Sequence, residues 1–223
     1  MNELLFFISM LAVFAAVVVA QRIFGKAGLF AWVAFAPVMA NILTAKQITI
    51  FGLDVTMGTI LFASVFLATD ILNELYGKED AKKAAWIAFA FVSGYIAVAQ
   101  ISLLFIPNEF DFAQESMKQL LGTSLRISVV SALMFLVANL ADVAIYNYLK
   151  KKNKKALWLR NNVSTIVANG IENFIFITLA FCGQMPFGDL MLIAAGTTVI
   201  EIIASVFDTP FLYFATRKAK RTE

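Results

Sequence analysis

The chain contains no histidine and a single cysteine, Cys182, in 223 residues. The first absence excludes a His-based catalytic triad, a zinc–histidine site and haem ligation through imidazole. The second excludes an internal disulfide and a thiolate-held metal cluster. A Walker A glycine loop is also missing, so ATP is not hydrolysed by that route. Charge is scarce too: 15% of residues are Asp, Glu, Lys or Arg, too few to wet the surface of a soluble domain of this length.

What the chain has in excess is apolar surface. Hydrophobic residues make up 61%, with Phe alone contributing 22, and the mean hydropathy is +0.81. These values place it in the membrane class before any motif is read. Residues 1–223 are expected to form a single integral membrane domain, an all-α helical bundle in the lipid bilayer. Seven apolar stretches approach or exceed the roughly 20 residues needed to cross: 3–22, 29–46, 56–76, 85–106, 124–148, 162–182 and 189–214. Gly28 with Leu29, and Pro186 with Gly188, mark breaks between spans, and Pro37 is expected to kink or tilt the second. The first stretch reads as a retained span rather than a signal peptide. Only Glu3 precedes it, and Arg22 and Lys26 follow it, the reverse of a signal peptide's charge order.

Basic residues orient the bundle. With the N-terminus outside, 15 of the 18 face the cytoplasm. They are Arg22 and Lys26; Lys78, Lys82 and Lys83; Lys150, Lys151, Lys152, Lys154, Lys155 and Arg160; and Arg217, Lys218, Lys220 and Arg221. Lys46, Lys118 and Arg126 remain outside. A cell (inner) membrane location with a cytoplasmic C-terminus follows. The net charge of +3 is then a matter of topology, and no direct nucleic-acid contact is expected. The segment 108–122, the longest outer connection, alternates apolar and charged residues and predicts a short helix lying at the surface.

Five acids, Asp70, Asp142, Glu172, Glu201 and Asp208, lie inside apolar runs. Ionised side chains are costly in hydrocarbon, so they are expected to face a cavity or a helix interface, which argues for transport. Asp70, Asn73 and Glu74 share one helical face, and Glu74 has Lys78 at i+4. Asn139 precedes Asp142 by three residues, as Asn169 precedes Glu172, so two amide–carboxylate pairs on neighbouring spans could meet across one cavity. Glu201 and Asp208 line the last span, where Pro210 is expected to kink the helix near a gate. Arg160, Asn161 and Asn162 read as an anchor or cap for the sixth span. Asn41 lies toward the outer end of the second span, and Lys46 either snorkels outward or neutralises part of the acidic interior. Carboxylates and amides suit a small polar ligand with several N–H donors. A purine-like edge, an amine, an amide and a proton relay all fit.

At these residues the chain resembles the YhhQ/VUT family of queuosine precursor transporters. The likeness is carried by Ala40-Asn41-Ile42 through Lys46, by FLATDILNELYG within Phe62–Gly77, by the Asp142 span followed by Lys150–Lys152, and by Leu157-Trp158-Leu159-Arg160-Asn161 followed by Ser164-Thr165. The resemblance implies import of a 7-deazaguanine (preQ0, preQ1 or queuine) for tRNA modification. It also implies a compact six-helix core plus an N-terminal helix, distantly like the substrate-binding components of energy-coupling-factor transporters. Three departures, the lack of a Pro near Ala63, Asn169 for Gln and Glu172 for Asp, sit beside the expected ligand groups and bear on which precursor is taken.

On this reading Glu172 and Asp142 hold ligand donors and Asn169 and Asn139 orient it. Asp70 and Asn41 line the path, while Glu74, Glu201, Asp208 and Pro210 serve gating or coupling. No catalytic residue, metal or cofactor is expected. An obligatory energising subunit, a homo-oligomer and, more remotely, a membrane-embedded enzyme using the carboxylates as acid and base or as ligands for a divalent ion stand as alternatives.

Overall fold

The computed structural model describes residues 1–122, 125–153, 155–183 and 186–219. Lys154, Lys220 and Arg221, named above, lie outside the described residues, as does residue 124, the first of the fifth expected span. Apolar runs of this length become helices because a helix satisfies its own backbone where no water is present. The elements are α1 (Asn2–Leu43), β1 (Gln47–Ile50), β2 (Leu53–Thr56), α2 (Gly58–Leu75), α3 (Lys78–Ser102), α4 (Gln114–Leu121), α5 (Leu125–Lys152), α6 (Leu157–Phe181) and α7 (Phe187–Ala219). Six of them are long and apolar enough to cross a membrane, namely α1, α2, α3, α5, α6 and α7.

At 42 residues, α1 would span about 63 Å if straight, twice a hydrocarbon core. It folds back at Gly25, whose φ of 57° and ψ of −135° are open to glycine and strained for other residues. The two arms, residues 2–24 and 26–43, therefore run antiparallel. Asn2 reaches the carbonyl of Thr49 just beyond the second arm, and the Phe7 ring meets that of Phe51. The reversal falls at Gly25, not at the predicted Gly28, which stays helical and buried. Helical dihedrals continue through Pro37, and α7 runs on through Pro210, so neither proline interrupts its helix.

Residues 47–56, expected only as a connection, form a hairpin: Gln47 pairs with Thr56 and Ile50 with Leu53. Phe51 and Gly52 turn it with φ of 51° and 80°, matching the twist of tight hairpins. The hairpin packs on α1 and α7. The predicted surface helix is α4, which buries none of its residues.

α2 is the central helix, buried over most of its length against α1, α3, α5 and α7. Leu67, Ile71 and Leu72 are enclosed in one apolar core with Phe14, Leu29, Val33, Tyr146 and Leu212. Contacts sort the molecule into two ends. One end holds Lys26 with Asp80 at 2.7 Å and Arg22 with the carbonyl of Phe214. The other holds the hairpin, Gln100 with the carbonyl of Leu121, and Arg126 with the carbonyls of Leu179 and Cys182. The first is called the inner end and the second the outer end.

Candidate functional site

α6 carries a polar stripe on its buried face: Arg160, Asn161, Ser164, Thr165, Asn169 and Asn173 recur every three or four residues among Leu157, Ala168, Ile177 and Ala180. That spacing keeps one face turned toward α5 and α7. Each turn of the stripe meets a different acid, so the polar interior is stacked in layers along the bundle.

The innermost layer centres on Glu74 of α2, whose side chain is 5% exposed. Its Oε2 receives Arg160 at 2.8 Å, Lys150 at 3.1 Å and the Tyr146 hydroxyl at 3.1 Å. Lys150 also donates to the carbonyls of Asn73 and Glu74, a basic side chain capping the C-terminus of α2. The Arg160 guanidinium lies over the Tyr146 ring, 5.5 Å from its centroid. Asn147 donates to Asn73 Oδ1 at 2.8 Å, tying α5 to α2 again. Glu74 is thus held across the bundle by Lys150 and Tyr146 of α5 and Arg160 of α6. Arg160 is a buried interhelical charge and not an interfacial anchor.

One turn outward, Asn161 donates to Asp208 Oδ1 at 2.7 Å and to Thr209 Oγ1 at 3.1 Å. Asn162 donates to Thr209 and receives Ser205, so both amides tie α6 to α7 instead of capping α6. Near the outer end Asn173 donates to Glu201 Oε2 at 2.6 Å and to Thr198 at 3.1 Å.

Between these layers lies a different group. Thr165 donates to Asp142 Oδ1 at 3.0 Å, and Asp70 lies beside Asp142 where α2 packs on α5. Asn139 is one turn from Asp142 on α5, and Asn169 one turn from Thr165 on α6. All four predicted residues are buried, Asp142 and Asn139 completely. Five of their oxygens find no hydrogen-bond partner: both of Asp70, Oδ2 of Asp142, and Oδ1 of Asn139 and of Asn169. Buried polar atoms are almost always paired, so five open acceptors in one place require a cause.

The structure thus brings together Asp70, Asn139, Asp142 and Asn169. Glu172 sits about 10 Å farther along α6 than Thr165, half-buried and nearer Glu201. Asn41 is not part of the group. It donates to the carbonyl of Pro37, and neighbouring Ala40 and Thr44 lie against Gly58, about 18 Å along α2 from Asp70. Lys46 is exposed beside the hairpin and does not reach the interior acids. Tyr146, Asn147 and Lys150 were missed, although they continue the 139–142 face of α5 at helical spacing. No cluster of three or more His, Cys, Asp or Glu that could hold a metal occurs among the described residues.

A cavity of about 640 Å³ opens at the inner end, lined by Glu74, Leu157, Arg160, Pro210, Tyr213 and Arg217 among others. Asp70, one turn above Glu74, is not among its lining residues. A second, apolar groove of about 710 Å³ runs between α1, α3 and α4.

Comparison with known proteins gives the family. A family model described as "Putative vitamin uptake transporter" matches residues 56–215, more than half of the chain. A "Probable queuosine precursor transporter" of Bacillus subtilis is 35% identical over 202 residues, covering 90% of this chain and 88% of the relative. A protein of the same description from Haemophilus influenzae is 30% identical over 59% of this chain and 54% of its own length. The "Queuosine precursor transporter" of Escherichia coli is 25% identical over 64% of this chain and 62% of its own length. No solved structure matches. The chain belongs to the YhhQ/VUT family of membrane transporters.

Proposed function

We propose that this protein imports a 7-deazaguanine queuosine precursor across the cell membrane, with its N-terminus outside and its C-terminus in the cytoplasm. The observation that carries the reading is the set of five unpartnered oxygens on α2, α5 and α6. Each buried acceptor left open costs about 1–3 kcal/mol, and a ligand supplying N–H donors relieves that cost. A guanine-like edge offers adjacent ring N–H and exocyclic amine donors, which one carboxylate accepts together. The three relatives, described as queuosine precursor transporters, support the same substrate class.

In this scheme Asp70 and Asp142 accept the ligand's donors, and Asn139 and Asn169 orient its ring. Glu172 serves the approach from the outer side. The Glu74–Arg160 pair closes the inner exit, and release proceeds into the cavity beside Pro210. The Asn161–Asp208 and Asn173–Glu201 bonds hold α7 against α6 while the site is closed.

Uptake of labelled preQ0, preQ1 and queuine in cells unable to make the base tests the proposal. Accumulation and restored queuosine in tRNA are expected. No uptake by an expressed, membrane-inserted protein would reject it. Uptake by vesicles holding this protein alone would show that no energising partner is required. Orientation is checked through exposed Cys182 near the outer end of α6: a membrane-impermeant thiol reagent should label it in intact cells.

A further inference from the structure

We propose that the central site selects those planar, N–H-rich heterocycles that carry a protonated amine over neutral ones of the same size. The inference rests on the transport reading above and concerns the charge of the ligand.

The charges nearest the site come from α2, α5, α6 and α7. α2 supplies Asp70 and Glu74, α5 supplies Asp142 and Lys150, α6 supplies Arg160 and, farther out, Glu172, and α7 supplies Asp208 and Glu201. Lys150 and Arg160 both bind Glu74 Oε2. Among the described residues no salt bridge reaches Asp70, Asp142 or Asp208, each of which is at most 1% exposed. The interior acids one and two turns outward of Glu74 therefore have no cation of their own.

A second observation does not depend on the acids. Asn139 and Asn169, 0% and 4% exposed, each leave the side-chain oxygen without a partner on the helix faces that carry Asp142 and Thr165. Carboxylate and amide oxygens alike are acceptors, so the vacant hydrogen-bonding capacity here is nearly all of one kind. Asn73 Nδ2, one turn inward, offers a donor for a ring carbonyl. An ammonium group brings three donors and a positive charge, and primary amines of this kind are protonated at neutral pH. A nitrile brings an acceptor toward acceptors. A hydroxymethyl arm brings one donor and no charge.

The test is equilibrium binding to the full-length protein in detergent with three probes that differ at the 7-position: preQ1 (aminomethyl, cationic), 7-hydroxymethyl-7-deazaguanine (neutral, same size) and preQ0 (nitrile, neutral). PreQ1 is expected to bind about tenfold or more tightly than either neutral probe. Asp70→Asn and Asp142→Asn should each bring the preQ1-to-neutral affinity ratio down toward one, whatever affinity all three probes lose together. Equal binding of the three probes by the parent, or preference for a neutral one, would overturn the inference and leave the transport reading standing. Preference unchanged in both variants would also overturn it. No binding of any probe would overturn both. The probe series on the parent is decisive even where a variant fails to fold.

Discussion

Glu74 and Asp70 stand one turn apart on the same helix, both acidic and both buried, yet they have opposite surroundings. Glu74 receives a guanidinium, an ammonium and a phenol from α5 and α6. Asp70 has no hydrogen-bond donor on either oxygen. Burial of an acid inside a membrane bundle is therefore no sign of a site by itself. What distinguishes the two is whether the protein supplies the partners or leaves them to something else.

Arg160→Ala should have the largest effect, because it leaves Glu74 buried without its shortest ion pair. Breaking such a pair costs about 3–5 kcal/mol, visible as a lower melting temperature and a poor yield of folded protein in detergent. A variant as stable as the parent would erase the contrast between the two acids.

Asp70→Asn should do the reverse. Affinity for a cationic precursor is expected to fall by about 2–5 kcal/mol, with thermal stability unchanged or raised, since a buried acid without partners has been removed. Binding and melting measured on one sample decide it. Lost stability with intact binding would make Asp70 a structural acid like its neighbour.

Gly25→Ala should cost about 1–2 kcal/mol by forcing a side chain into the positive-φ turn that folds α1 back. The expected result is a lower melting temperature with ligand affinity retained. A change in affinity alone would tie the turn to the site. The smallest effect should be that of Tyr146→Phe, which removes one donor from Glu74 while two cations remain. About 1 kcal/mol of stability is expected, and a loss as large as that for Arg160→Ala would show the phenol to be the dominant partner.

Much of this contrast could be read in the chain, and the rest could not. The apolar runs, the surface helix at 114–121 and the shared face of Asp70, Asn73 and Glu74 follow from local periodicity. The hairpin at 47–56 was not anticipated, although Ile48, Ile50, Leu53 and Val55 alternate as in two facing strands around Phe51-Gly52. The turn at Gly25 was harder, because Gly28 is an equal candidate and only the packing of two arms chooses between them. Arg160 reads as an interfacial anchor when counted along α6, and its buried pairing depends on a residue 86 positions earlier.

The sequence by itself determined that this is a helical membrane protein with an acidic interior, because hydrophobic length and charge placement act locally, span by span. It also placed Asp70, Asn139, Asp142 and Asn169 on inward faces, because helical spacing fixes direction within one element. Only the tertiary structure decided which acids are satisfied. Lys150 and Arg160 approach from two different helices and both contact Glu74, leaving Asp70 and Asp142 to face each other without a cation. That allocation depends on how the helices pack side by side, which no periodicity within a single helix encodes.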